Sequence, residues 1–180
     1  MDEARPARCP ACDAPGRPVG GRLGLVGHGM RTRQLRGPPA AGQAPVTLVL
    51  DIRRYQCRTC AALVMVVPRG VVPRRHFSGA AIALALALYG IAQKSARHTR
   101  RLVSPWATVG AAAYTGWAAL TRWIGAVRRG SMFACVRAMA EDMSAREAAE
   151  RVATTLAALA PPALGRLPLT EQAFAGAQFA

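Results

Sequence analysis

Two short cysteine motifs carry the most specific chemistry in this sequence. Cys9-Pro10-Ala11-Cys12 and Cys57-Arg58-Thr59-Cys60 each hold two thiols around a two-residue gap. A gap of that length lets a tight turn aim both sulfurs at one point. Two such turns supply the tetrahedral four-sulfur set that structural zinc prefers. A redox role goes with a single pair beside a βαβ pattern, whereas here there are two pairs and no such pattern. The 44 residues between the pairs are more than a ribbon-type site usually has. The expected ligands of one structural zinc ion are nonetheless Cys9, Cys12, Cys57 and Cys60. The fifth cysteine, Cys135, lies beside Met132, Phe133 and Met139 and reads as a small core residue. His28, His76 and His98 have no metal-ligand spacing.

The charge pattern points to a second kind of chemistry. The 180 residues carry 24 Lys and Arg against 9 Asp and Glu, a net charge of +15. Lys94 is the only lysine. No Asp or Glu occurs from Ile52 to Ala140, a window with fourteen Arg or Lys. A neutral solvated surface intersperses both signs. A long stretch without carboxylates suits a polyanion, which such a surface attracts by counterion release. Nucleic acid is favoured over an anionic membrane surface as that partner. The polar N-terminus has no apolar core of the secretory type. The longest apolar run, Gly79 to Ala92, is shorter than the roughly twenty residues needed to cross a bilayer. With paired thiols and no leader, the expectation is a cytoplasmic, nucleoid-associated protein with no membrane partner.

The elements that must position these groups follow from periodicity. Residues 1–70 lack helical spacing. Val46, Leu48, Leu50 and Ile52 alternate in a strand expected over Pro45 to Gln56, and Ala62 to Val67 forms a second short strand. Cys57 and Cys60 sit in the turn between them. Gly20 to Ala44 reads as a long loop, with at most a short strand at Leu23 to Val26. After Pro73 the pattern becomes helical. Ser78 caps a helix to about Tyr89, and Ser95 caps a basic one to about Val103. Thr108 opens a third, ending at Arg128, Arg129 and Gly130. Ser131 to Met139 and Ser144 to Ala160 read as further helices, and the remaining tail as loose. The expected fold is α+β: a small N-terminal zinc ribbon of short antiparallel strands, then an α-helical helix-turn-helix bundle. Its divisions are 1–72, ribbon with a long internal loop; 73–140, helix-turn-helix-like helical domain; and 141–180, C-terminal helix and loose tail.

On this plan the candidate DNA contacts fall in three groups. Arg53, Arg54, Arg74 and Arg75 flank the hairpin and the start of the helices, where their planar forks suit phosphate. Lys94, Arg97 and Arg101 are spaced for one face of the second helix. Thr115, Thr121 and Arg122 are the polar residues of the third, with Arg128 and Arg129 near its end. Trp117, Leu120, Trp123 and Ile124 are expected in the core.

These motifs resemble a known family. The run Arg53-Arg54-Tyr55-Gln56-Cys57-Arg58-Thr59-Cys60, then Val67-Pro68, then Pro73-Arg74-Arg75-His76-Phe77-Ser78, is similar to the front end of bacterial insertion-sequence transposases. Ser95-Ala96-Arg97 and Leu120-Thr121-Arg122-Trp123-Ile124 are similar to that family's helix-turn-helix. The resemblance covers about residues 9–130 and implies a module that binds the element's terminal sequences. The family's nuclease domain needs three carboxylates on an RNase H-like fold. After Asp51 the acids are Glu141, Asp142, Glu147, Glu150 and Glu171. No strand-rich segment surrounds them, so the expectation is DNA binding without strand cleavage and no enzymatic activity. Double-stranded DNA is the expected partner, and a homodimer is compatible with it. The alternative is a zinc-stabilised protein-interaction module with no specific DNA target.

Overall fold

The structure is a computed structural model, and it describes residues 4–113 and 116–180. Thr115, one of the expected DNA contacts, lies outside the described residues. The protein is α+β. Its elements are β1 (Leu25–Gly37), β2 (Val46–Cys57), β3 (Leu63–Val66), α1 (Gly79–Gly90), α2 (Ala96–Val103), α3 (Ala118–Arg128), α4 (Ala145–Ala157) and α5 (Leu169–Gly176), with 3₁₀ turns at Gly110–Ala113 and Pro162–Leu164. The chain divides into two units: residues 1–34 with 49–68, and residues 35–48 with 69–180.

The three strands form an antiparallel sheet of order β1-β2-β3. Between β2 and β3, Tyr55 faces Val64 and Arg54 faces Met65. Alternation puts Tyr55 and Cys57 on one face of β2, and both are buried. The core of this unit is small: Cys9, Leu25, Tyr55, Cys57 and Val64, with Ala14, Ala62 and Val66 against them. The segment expected to be a long loop instead supplies β1, thirteen residues long. More than half of its residues are exposed, glycines included, so no buried alternation advertises it.

The helical unit is built around α1. This helix is apolar on every side, and each residue from Gly79 to Ala87 is buried. It packs most closely with α4 and α5 and also touches α2 and α3. Its twelve residues are too few to cross a bilayer, and no described helix is long and apolar enough to do so. Serine caps set the starts as the sequence indicates. Ser78 Oγ accepts from Ala81 N–H at 3.0 Å and Ser95 Oγ from His98 N–H at 3.2 Å. Ser144 forms a full capping box with Glu147, whose carboxylate accepts from Ser144 N–H at 2.7 Å. Those bonds from Ser144 hold the Glu147 carboxyl below its ordinary range.

Three helical expectations are corrected. The third helix does not open at Thr108 but at Ala118, because Gly110 adopts the left-handed region, with φ of 66°. Ser104 to Trp117 therefore joins α2 to α3, in place of the three- or four-residue turn of a helix-turn-helix. Ser131 to Met139 is turns rather than helix: Gly130 and Phe133 are left-handed, and Ser131 folds back onto Ala126 O. The tail expected to be loose forms α5. Gly176 lets that helix approach α4 so closely that a Cβ there would lie 1.8 Å from Leu156 O.

Candidate functional site

The two cysteine motifs fold into equivalent knuckles. Cys9 N–H donates to Ala14 O and Asp13 N–H to Cys9 O, both at 2.9 Å. In the second, Cys57 N–H donates to Ala62 O and Ala61 N–H to Cys57 O, both at 3.0 Å. Each turn closes through a left-handed residue, Asp13 with φ of 58° and Ala61 with φ of 59°. Aspartate tolerates that region better than alanine. Asp13 also pairs with Arg8 at 2.6 Å, an exposed bond that adds little stability.

The knuckles bring all four sulfurs within 4.8 Å of one another. Cys9 and Cys60 Sγ are 3.8 Å apart, and Cys12 and Cys57 Sγ 3.7 Å. A disulfide requires about 2.05 Å. Four thiolates bound tetrahedrally at about 2.3 Å would stand about 3.8 Å apart. The four-sulfur cluster therefore has the size and donor set of a site that can hold a metal ion. Cys9 and Cys57 are buried while Cys12 and Cys60 are exposed. Backbone N–H groups of Cys60 and Thr59 draw the Cys57 thiol down to about 6 against the opposing effect of burial. Cys12 gains from the Ala14 N–H, yet Cys60, burial, Cys57 and Cys9 together push it up to about 12. Crowded sulfurs resist shared ionisation unless a cation compensates.

A second constellation lies within the helical unit. Arg36, Arg74, Arg75, Arg100, Arg122 and His76 line a cleft of about 270 Å³, and no carboxylate among the described residues lines it. Its walls also include Phe77, Trp106, Trp117 and Trp123. The last two are buried, as the sequence indicates. Phe77, Trp117 and Trp123 meet edge to face, with centroids 4.9 to 5.8 Å apart. The Arg36 guanidinium lies 3.6 Å from the Trp106 ring centroid. Its backbone is fixed beside Phe77: Arg36 N–H donates to His76 O at 2.7 Å, and Ser78 N–H to Arg36 O at 3.1 Å. Arg74 is held left-handed, with φ of 58°.

The expected DNA contacts are distributed unevenly. Arg74, Arg75 and Arg122 come together in the cleft. Arg53 and Arg54 belong to β2 in the sheet unit and are half-buried; Arg53 lies 5.9 Å from the Tyr55 ring centroid. Lys94 precedes α2 and is not on its face. Arg97 and Arg101 are exposed on α2, Thr121 on α3, and Arg128 and Arg129 at its end. Arg128 donates to Met143 O. Sequence reasoning missed Arg36, Arg100, His76 and Trp106. Arg100 had a local signal: it stands four residues after Ala96 and three before Val103, which is fully buried, so its stem follows the packed side of the helix. Arg36 and Trp106 had none, since only tertiary structure stacks them. Cys135 is exposed rather than core, because its segment is not helical. It lines a larger groove beside α4. No protein-family model matches this chain, and no curated protein or solved structure is similar to it.

Proposed function

We propose that this chain is a zinc-dependent DNA-binding protein without a catalytic domain, comparable to the DNA-binding end of a transposase. The cluster of Cys9, Cys12, Cys57 and Cys60 would hold one structural zinc ion and rigidify a ribbon that presents Arg53 and Arg54. Helices α1 to α3 would take the part of the family's helix-turn-helix, with a longer connection between α2 and α3. The observation that carries the reading is the cleft, where five arginines from separate parts of the sequence converge with no carboxylate among them. Like charges are not gathered this way for stability, so a phosphate-bearing partner is the natural counterpart. Thr121 and Arg122 on α3 are the candidates for approaching base edges. Their small number implies modest sequence specificity. Among the described residues, the four cysteines are the group of potential metal ligands that converges, and no carboxylate belongs to it.

The alternative, a protein-interaction module, draws on the groove of about 980 Å³ beside α4, lined in part by Met143 and Leu159. A salt titration of duplex binding separates the two. Several phosphate contacts give a slope of log affinity against log salt of about −0.9 per phosphate. Replacing Arg74 and Arg75 by Ala should flatten that slope by up to about two units on all sequences alike. Arg122→Ala should change preference among sequences. A flat response in the unaltered protein rejects the DNA reading and selects the interaction module. Elemental analysis should find about one zinc per chain.

A further inference from the structure

Duplex phosphates need exposed cations, and this protein has many that lie outside the cleft. The cleft adds features that phosphate binding leaves unexplained. Trp106 is 55% exposed although one side of its ring is covered by Arg36. A large aromatic left in water forgoes burial that packing would otherwise give it. The Phe77, Trp117 and Trp123 cluster forms a stiff wall next to it. Arg100 Nε is buried and has no hydrogen-bond partner among the described residues. With its Nε covered, Arg100 offers the cleft the outer end of its guanidinium, which is only partly buried. At about 270 Å³ the space is near the lower end for small-molecule pockets and far too narrow for a duplex. A flat group beside a phosphate matches these dimensions.

We infer that the cleft takes one unpaired nucleotide of the bound DNA, its base stacked on Trp106 and its phosphate held by Arg74 and Arg100; this rests on the DNA-binding reading. Stacking on an exposed aromatic tolerates any base, because each has a π-face. The neighbouring guanidinium of Arg36 backs the ring and fixes its plane. Among the described residues no acid lines the cleft to repel the phosphate.

The test uses the full zinc-loaded chain and two labelled DNAs: a fully paired duplex and the same duplex with one unpaired base. Anisotropy titrations should show tighter binding to the second, by about 5- to 150-fold if one base stacks. Trp106→Ala should collapse the preference, and Trp106→Phe should keep most of it. Arg100→Ala should weaken binding to the DNA with the unpaired base. Equal affinity for the two DNAs, or a preference that survives Trp106→Ala, overturns the inference and leaves duplex binding standing. Absence of salt-dependent binding to either DNA overturns both.

Discussion

In the sheet unit the core cluster of buried residues is Cys9, Leu25, Tyr55, Cys57 and Val64, and two of those five are candidate metal ligands. In the helical unit every residue from Ala80 to Ala87 is buried, and the same cluster continues through Trp123, Val152, Leu156 and Phe174. One unit has too little apolar surface to offset the entropy of ordering its chain. The other closes its core by bringing alanine- and glycine-rich helices close together. The difference assigns separate weak points: the four-cysteine cluster, which can hold a metal ion, in the first, and backbone proximity in the second.

The sharpest way to break the comparison is to deny the four cysteines a metal ion. Structural zinc in small domains contributes an apparent 10 to 16 kcal/mol near neutral pH. Cys57→Ser or chelation should therefore abolish amide-exchange protection in β2 and β3 while α1, α4 and α5 stay protected. Simultaneous loss in both units would show that they fold as one. Proton release sharpens the same point. Cys12 keeps its proton up to about 12 in the metal-free protein, so binding releases it across the neutral range. Cys57 is already ionised above about 6. As pH falls through about 6, its thiol must be deprotonated as well, so the number of protons released on binding should rise by one and affinity should fall more steeply. Calorimetric titration in buffers of different ionisation enthalpy counts those protons.

A smaller and opposite break is Gly176→Ala. The added Cβ would meet Leu156 O at 1.8 Å, so α5 must shift away from α4. Overpacking of this kind costs about 1 to 3 kcal/mol. The thermal midpoint of the helical unit should drop while zinc stoichiometry stays at one. An unchanged midpoint would mean that α5 contributes little to the core.

What the sequence makes legible divides along the same line. The knuckles and strands β2 and β3 are local: thiol spacing and β-branched alternation are enough to find them. The serine caps of α1, α2 and α4 are local too, being one hydroxyl bonded three residues on. By contrast, β1 has Gly27 and Gly29 and more than half of its residues exposed, so beyond the short run at Leu23 to Val26 nothing in its composition marks a strand. The eight-residue α5 is too short to stand alone and exists through packing on α1 and α4. Of the cleft, Arg74, Arg75 and Arg122 are visible through charge. The stack of Arg36 on Trp106 joins residues seventy positions apart and has no sequence signature.

The finest comparison concerns one buried hydroxyl in each unit. Tyr55 Oη and Thr99 Oγ1 are buried, and neither has a hydrogen-bond partner among the described residues. Leaving a buried donor unpaired costs about 1 to 3 kcal/mol, and removing the hydroxyl while keeping the shape recovers part of that. Tyr55→Phe keeps the ring and its two neighbouring guanidinium groups, Arg5 at 5.6 Å and Arg53 at 5.9 Å. Thr99→Val keeps the branched outline inside α2, and the two residues have similar helix propensity. Each change thus reports the hydroxyl alone. Both should stabilise by about 1 kcal/mol in denaturant unfolding of the zinc-loaded protein. The sheet unit allows a second outcome, because its small core leaves less apolar matter between Tyr55 and water. If Tyr55→Phe destabilises while Thr99→Val stabilises, the tyrosine hydroxyl is bonded to solvent, and the sheet unit is wetter inside than the helical one.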